Sequence, residues 1–132
     1  MDLVSIRVIT GDINRLVGFY EKVTGVPADW GNADFAEVRT AHGTLAIGST
    51  RTVPLFAAGS ARPADNHTAI IEFRVDDVDA LYEDLRSVVD DVVNGPMTMP
   101  WGNRALLIRD PDGNLINFFT PVTAEAIARS RR

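Results

Sequence analysis

At 132 residues the chain can bury one real core, and 45% apolar against 23% charged residues suits a globular chain with no apolar run near the ~18 residues of a membrane span. The absence of cysteine excludes disulfides and thiolate metal sites. The net charge of −5 comes without the basic stripe that nucleic acid requires, and no basic-then-apolar leader opens the chain, so the cytoplasm is the expected location.

Alternation over Val4–Ile9 predicts a strand, broken at Gly11-Asp12. Asp12 is placed to cap a helix carrying Ile13, Leu16, Val17 and Tyr20 on one face, which should end near Gly25. Trp30 to Asn32 reads as loop, with room for a short strand near Val26 to Trp30. Phe35–Thr40 and Thr44–Ser49 read as strands about a turn at His42-Gly43. Thr52 to His67, with two prolines and small polar residues, reads as a linker. Ala69–Val75 predicts a strand, Asp77 a cap, and Val78 to about Val89 a helix. A loop follows around Asn94-Gly95-Pro96, and then strands at Arg104–Arg109 and Asn114–Thr120. Thr123 to Arg132 reads as a short, frayed terminal helix.

The second half repeats the first. Ile70-Ile71-Glu72-Phe73 and its helix follow Ser5-Ile6-Arg7-Val8 and its helix by sixty-five positions, and the closing strands are offset by about seventy. Two copies are too few for a solenoid and predict a pseudo-twofold body with a ligand cleft between the halves. The expected organisation is one domain over 1–132: module one 2–51, linker 52–67, module two 68–121 and tail 122–132.

Phe19-Tyr20 with Thr24-Gly25, then Val75-Asp76-Asp77-Val78, then Pro100-Trp101-Gly102-Asn103-Arg104 before Asp110-Pro111-Asp112-Gly113-Asn114, together resemble the glyoxalase/bleomycin-resistance/dioxygenase superfamily, also called vicinal oxygen chelate proteins. The resemblance implies an α+β fold of two βαβββ modules forming a cup-shaped mixed sheet, usually as a homodimer. Many members hold a divalent metal from the first and last strand of each module. The matching positions here are Ser5, Ile47, Ile70 and Asn117, none of them His or carboxylate, so no metal and no cofactor is expected. His42 and His67 read as surface residues. Asp110-Pro111-Asp112-Gly113 reads as a hairpin turn, not a calcium loop.

Strand parity turns Val4, Ile6 and Val8 toward the first helix and Ile71, Phe73 and Val75 toward the second. It leaves Ser5, Arg7, Ile70, Glu72 and Arg74, with Leu45, Ile47, Asn117 and Phe119, for the cup. Arg7 and Glu72, as repeat equivalents, are expected to form a buried ion pair; the alternative is that one addresses a polar ligand group. Trp30, Phe35 and Trp101 are candidates for stacking on a planar ligand, Trp30 foremost, with a structural role the alternative for Trp101. Phe56 either covers the cleft or pins the linker. These residues lead to a metal-free small-molecule binding protein resembling the drug-sequestering resistance members, with an aromatic or partly cationic ligand. The alternative is a lyase, isomerase or dioxygenase-like enzyme, using an atypical metal site or Glu72 as acid–base group with Arg7 or Arg74 stabilising an anion.

Overall fold

Asp12 and Asp77 start two helices in the same way. Asp12 Oδ1 accepts the Arg15 N–H at 3.1 Å, and Asp77 Oδ1 accepts the Ala80 N–H at 3.0 Å. Each cap satisfies a backbone donor that the first helical turn leaves unpaired. In the computed structural model, which describes residues 1–131, the helices that follow are α1 (Ile13–Thr24) and α3 (Val78–Leu85). Helix α1 ends at Gly25, whose φ of 70° and N–H bond to Glu21 O close it with a left-handed cap. Helix α3 stops before the expected Val89. The Val88 and Val89 N–H groups instead return to Leu85 O, and β-branched valines favour such an exit.

The chain divides into two compact units, Met1–Asn66 and the part from His67 onward, each a βαβββ module of the same topology. The first sheet holds β1 (Ser5–Thr10), β2 (Asp29–Asn32), β3 (Phe35–Arg39) and β4 (Thr44–Ser49) in the order β1-β4-β3-β2. The second holds β5 (Ile70–Arg74), β6 (Val92–Thr98), β7 (Asn103–Arg109) and β8 (Leu115–Pro121) in the order β5-β8-β7-β6. In each, the first and last strands pair in parallel and the rest antiparallel. Trp30–Asn32 and Asn94–Pro96, expected as loops, are thus edge strands. Both carry register shifts, and Pro96, lacking an N–H, is tolerated at an edge.

One face of each sheet is closed by its helix. Helix α1 buries Ile13, Leu16, Val17, Tyr20 and Val23, beside buried Ala36, Val38, Leu45 and Ile47 of β3 and β4. In the second unit Val78 and Leu85 join Leu106, Ile108, Ile116 and Phe118, with Phe73 stacked on Phe118 at 5.4 Å. Burial of this kind stabilises by roughly 1.5–3 kcal/mol per large side chain.

The expected linker begins with structure. Thr50–Thr52 forms a 3-10 turn and Val53–Phe56 a short helix α2, with Thr52 and Val53 buried. The terminal helix α4 (Ala124–Ser130) is docked, not frayed: Thr123 Oγ1 caps it through the Ala126 N–H, and Ala126 is buried. Arg132, included in that expectation, lies outside the described residues. No helix among the described residues is long and apolar enough to cross a membrane.

Candidate functional site

In the second unit the strand register lays out one open sheet face in rungs. Ile70, Leu115 and Arg109 share the first, Glu72, Asn117 and Leu107 the second, and Arg74, Phe119 and Ala105 the third. Residues in register across a sheet point to the same side, so these side chains stand opposite the α3 face. Ile70, Glu72, Asn117 and Phe119, all expected on one face, are on one face. Arg74, named by parity, joins them. Leu107 and Leu115 could be added only once the pairing of β7 and β8 was known.

The second rung carries the polar chemistry. Asn117 Nδ2 donates to Glu72 Oε2 at 2.8 Å. Asn117 Oδ1 is buried and accepts no hydrogen bond among the described residues. A carboxylate only accepts, so the amide must turn its nitrogen toward Glu72 and its oxygen away. A buried acceptor without a donor costs about 1–3 kcal/mol. A donor brought by a bound molecule would remove that cost, at a place the side chains around Asn117 now cover.

Beyond the third rung, α4 overhangs the same face and forms with it an open recess of about 200 Å³. Arg74, Asn103, Phe119 and Pro121 line it from the sheet, and Ala126, Arg129 and Ser130 from α4. Arg74 Nη1 donates to Ser130 O at 2.8 Å, and Arg129 Nη2 donates to Trp101 O. Trp101 itself is exposed, so its contribution here is this backbone carbonyl.

In the first unit the open face holds Ser5, Arg7, Phe35, Glu37, Ala46 and Gly48. The Arg7 guanidinium lies over the Phe35 ring at 4.5 Å and the Phe56 ring at 5.1 Å. Helix α2 thus brings Phe56 over Arg7. Within its own unit Arg7 engages aromatic rings, and within its own Glu72 engages an amide; both side chains are exposed, not buried as expected. Neither charge carries the desolvation penalty that would demand a counter-charge.

Three residues expected here, Leu45, Ile47 and Trp30, leave this face. Ile47 pairs with Val8, not with the Arg7 rung, and is fully buried on the α1 side with Leu45. The error is one residue in the offset of the closing strands: Ala46, not Ile47, is the register counterpart of Asn117, since Arg7 pairs with Ala46 as Glu72 pairs with Asn117. Trp30 pairs with Ala36, so it stands on the α1 side of edge strand β2, away from Phe35 and Arg7. Ser5 is exposed at the start of β1, paired with Thr44. His42 and His67 are exposed. Asp110 is consumed by its own turn, accepting the N–H groups of Asp112 and Asn114 at 2.9 Å each and the Asn114 amide at 2.8 Å.

The donor chemistry does not fit the divalent metal that the fold class often holds. The positions are Ser5 and Ala46 in one unit and Ile70 and Asn117 in the other. Two lack any lone pair, and a hydroxyl and an amide are weak ligands for transition ions. Among the described residues no three His, Asp or Glu converge on a point.

Paired βαβββ units, each with one helix-covered face and one open face, define the class as glyoxalase-like. The model of the Glyoxalase/Bleomycin resistance protein/Dioxygenase superfamily matches residues 2–118, and the chain belongs to that superfamily. It is 26% identical over 125 residues to the uncharacterized protein YraH of Bacillus subtilis, covering 90% of this chain and 98% of that protein. Among solved structures it resembles a glyoxalase/bleomycin resistance/dioxygenase family enzyme from Burkholderia phytofirmans (TM-score 0.79, 19% identity, 92% of this chain and 100% of that one). It also resembles a protein of unknown function from Agrobacterium tumefaciens (TM-score 0.78, 25% identity, 91% and 94%).

Proposed function

We propose that the protein is a metal-free, cytoplasmic small-molecule binding protein whose ligand lies on the open face of the second sheet. The observation that carries this reading is Asn117: its Oδ1 is buried without a donor while its Nδ2 is committed to Glu72. The apolar Ile70, Leu107, Leu115 and Phe119 around it supply contact area, and a few convergent polar groups in apolar surroundings are the usual makeup of a ligand site. The ligand is aromatic or apolar in body and carries a hydrogen-donating, preferably cationic, group that Asn117 Oδ1 and the Glu72 carboxylate share. Trp101, exposed in the same unit, is a secondary candidate for contact.

Protein purified and dialysed against chelator should bind 4-methylbenzylamine, shifting the Asn117 side-chain amide signal in ¹⁵N NMR spectra. About one Fe, Zn, Mn or Ni per chain on elemental analysis, or an unmoved Asn117 signal, would sink the reading. The protein is proposed to act as a homodimer, because exposed Leu3, Val4 and Ile6 leave apolar surface to cover. Sedimentation showing monomer alone at micromolar concentration would contradict that.

A second reading is favoured by the Glu72 carboxylate, whose Oε2 is held by Asn117 while Oε1 has no partner among the described residues. Held in this way, it is positioned to take a proton from a bound substrate. Turnover that survives chelation and is lost in Glu72→Gln would select this metal-free enzyme over a pure binder.

A further inference from the structure

We propose that the recess beneath α4 is an anion-binding subsite, and that the molecule held on this sheet face is a zwitterion. Its donor group would sit at Asn117 and Glu72, and its carboxylate at Arg74. The inference rests on the preceding reading for the donor end only; the anion end stands on separate observations.

The first is that Arg74 has no counter-charge. Arg39, Arg51, Arg62, Arg86 and Arg104 each have a carboxylate within ion-pair distance. Arg74 has none among the described residues, in a chain with 18 acidic side chains against 13 basic ones. The nearest carboxylate along its own strand face, Glu72, gives its Oε2 to Asn117 instead. Of the five guanidinium donors, one is used, on Ser130 O.

The second is that Arg74 does not stand alone. Arg129 reaches the same recess from α4, so two guanidinium groups line a space of about 200 Å³. Arg74 and Arg129 are both cationic, so each attracts an anion in the recess. Guanidinium is also the side chain best matched to a carboxylate, through paired N–H donors. The recess has room for a carboxylate and the carbons next to it, with the Phe119 ring as an apolar wall.

The third is spacing. Glu72 and Arg74 are two residues apart on one strand, as are Asn117 and Phe119 on its neighbour, which sets the backbone positions of the acceptor pair and of Arg74 roughly 6.5 Å apart on one face. A molecule spanning both carries its donor and its carboxylate at opposite ends of a short rigid body, as a para-substituted ring does.

Three probes built on one para-substituted ring separate the ends: 4-methylbenzylamine, 4-methylbenzoate and 4-(aminomethyl)benzoate, titrated into full-length protein while Arg Nε–H and Asn side-chain signals are followed by NMR. The benzoate should shift Arg74 Nε, and the zwitterion should bind at least tenfold more tightly than either single-ended probe. Arg74→Gln should bring the zwitterion down to the affinity of the amine. Because Arg74 also fastens α4 through Ser130 O, Arg74→Lys, which keeps a cation and a donor there, should retain most of the zwitterion's advantage. An Arg74 Nε signal unmoved by 4-methylbenzoate, or full zwitterion affinity in Arg74→Gln, would overturn the subsite. A moved Arg74 with Asn117 indifferent to the amine would instead uphold the recess and remove the donor end.

Discussion

Asn117 and Glu72 face one another across the parallel pair β5–β8 at 2.8 Å, and the bond that joins them orients the asparagine oxygen into a position where nothing answers it. A purely structural asparagine at this place would use both ends of its amide. Asn117→Leu removes one hydrogen bond to an exposed carboxylate and, with it, one unsatisfied buried acceptor. The two effects oppose, so stability in urea should stay within about 1 kcal/mol of the parent. Affinity for 4-methylbenzylamine should fall at least tenfold. A large loss of stability with unchanged affinity would make Asn117 a structural residue.

Arg7 is held by rings, not by a carboxylate. Arg7→Ala should destabilise the first unit by about 1 kcal/mol, the scale of exposed cation–π contacts, and not by the larger amount that stranding a buried charge entails. Phe56→Leu should reproduce part of that loss, because it removes one of the two rings. Urea midpoints of the two variants and their combination would show coupling if the stack is real, and additivity if it is not.

Gly102 adopts a φ of 92°, and a Cβ built on it would lie 2.1 Å from Thr123 Oγ1 and 3.0 Å from the Ala126 Cβ. Gly102→Ala therefore strains the backbone and pushes away the cap of α4. A cost of roughly 1–3 kcal/mol is expected. Hydrogen exchange should report it locally, with the Ile127 amide, which bonds Thr123 O, losing protection before the sheet does.

Asp34 accepts the Ser49 hydroxyl at 2.8 Å and the Arg51 Nε–H at 2.7 Å. The Ser49 bond first, and then the Arg51 bond, hold its carboxyl below the ordinary value of 3.8. A carboxylate depressed in the folded state binds fewer protons there than in the unfolded chain. Its contribution is thus complete above the ordinary value and is lost as pH falls through the depressed one. Asp34→Asn should reduce stability at neutral pH and flatten its decline on the acid limb, as read from urea midpoints across that range. An acid limb as steep as the parent's would show that other carboxylates carry it.

How much of this was legible in the chain differs between the halves. In the second unit, alternation in Ile70-Ile71-Glu72-Phe73 and in Leu115-Ile116-Asn117-Phe118 is regular, and both strands show the face that parity assigns. In the first, Thr44-Leu45-Ala46-Ile47-Gly48 is nearly all apolar or small, so period two leaves no mark on it. The one-residue slip that resulted turned Ile47 outward, when it is fully buried. The side of Trp30 is not legible for a related reason: Asp29–Asn32 has no apolar alternation and is a strand only because β3 pairs with it.

The sequence by itself determined the repeat, the capped helices and the superfamily, because these follow from local chemistry: which residue caps and which alternates. Only the tertiary structure decided which side chains meet. The Asn117–Glu72 bond joins residues 45 apart, and the Arg74–Ser130 bond residues 56 apart. Register and helix docking, set by packing of the whole unit, bring such pairs together, and no local preference of either residue encodes the distance between them.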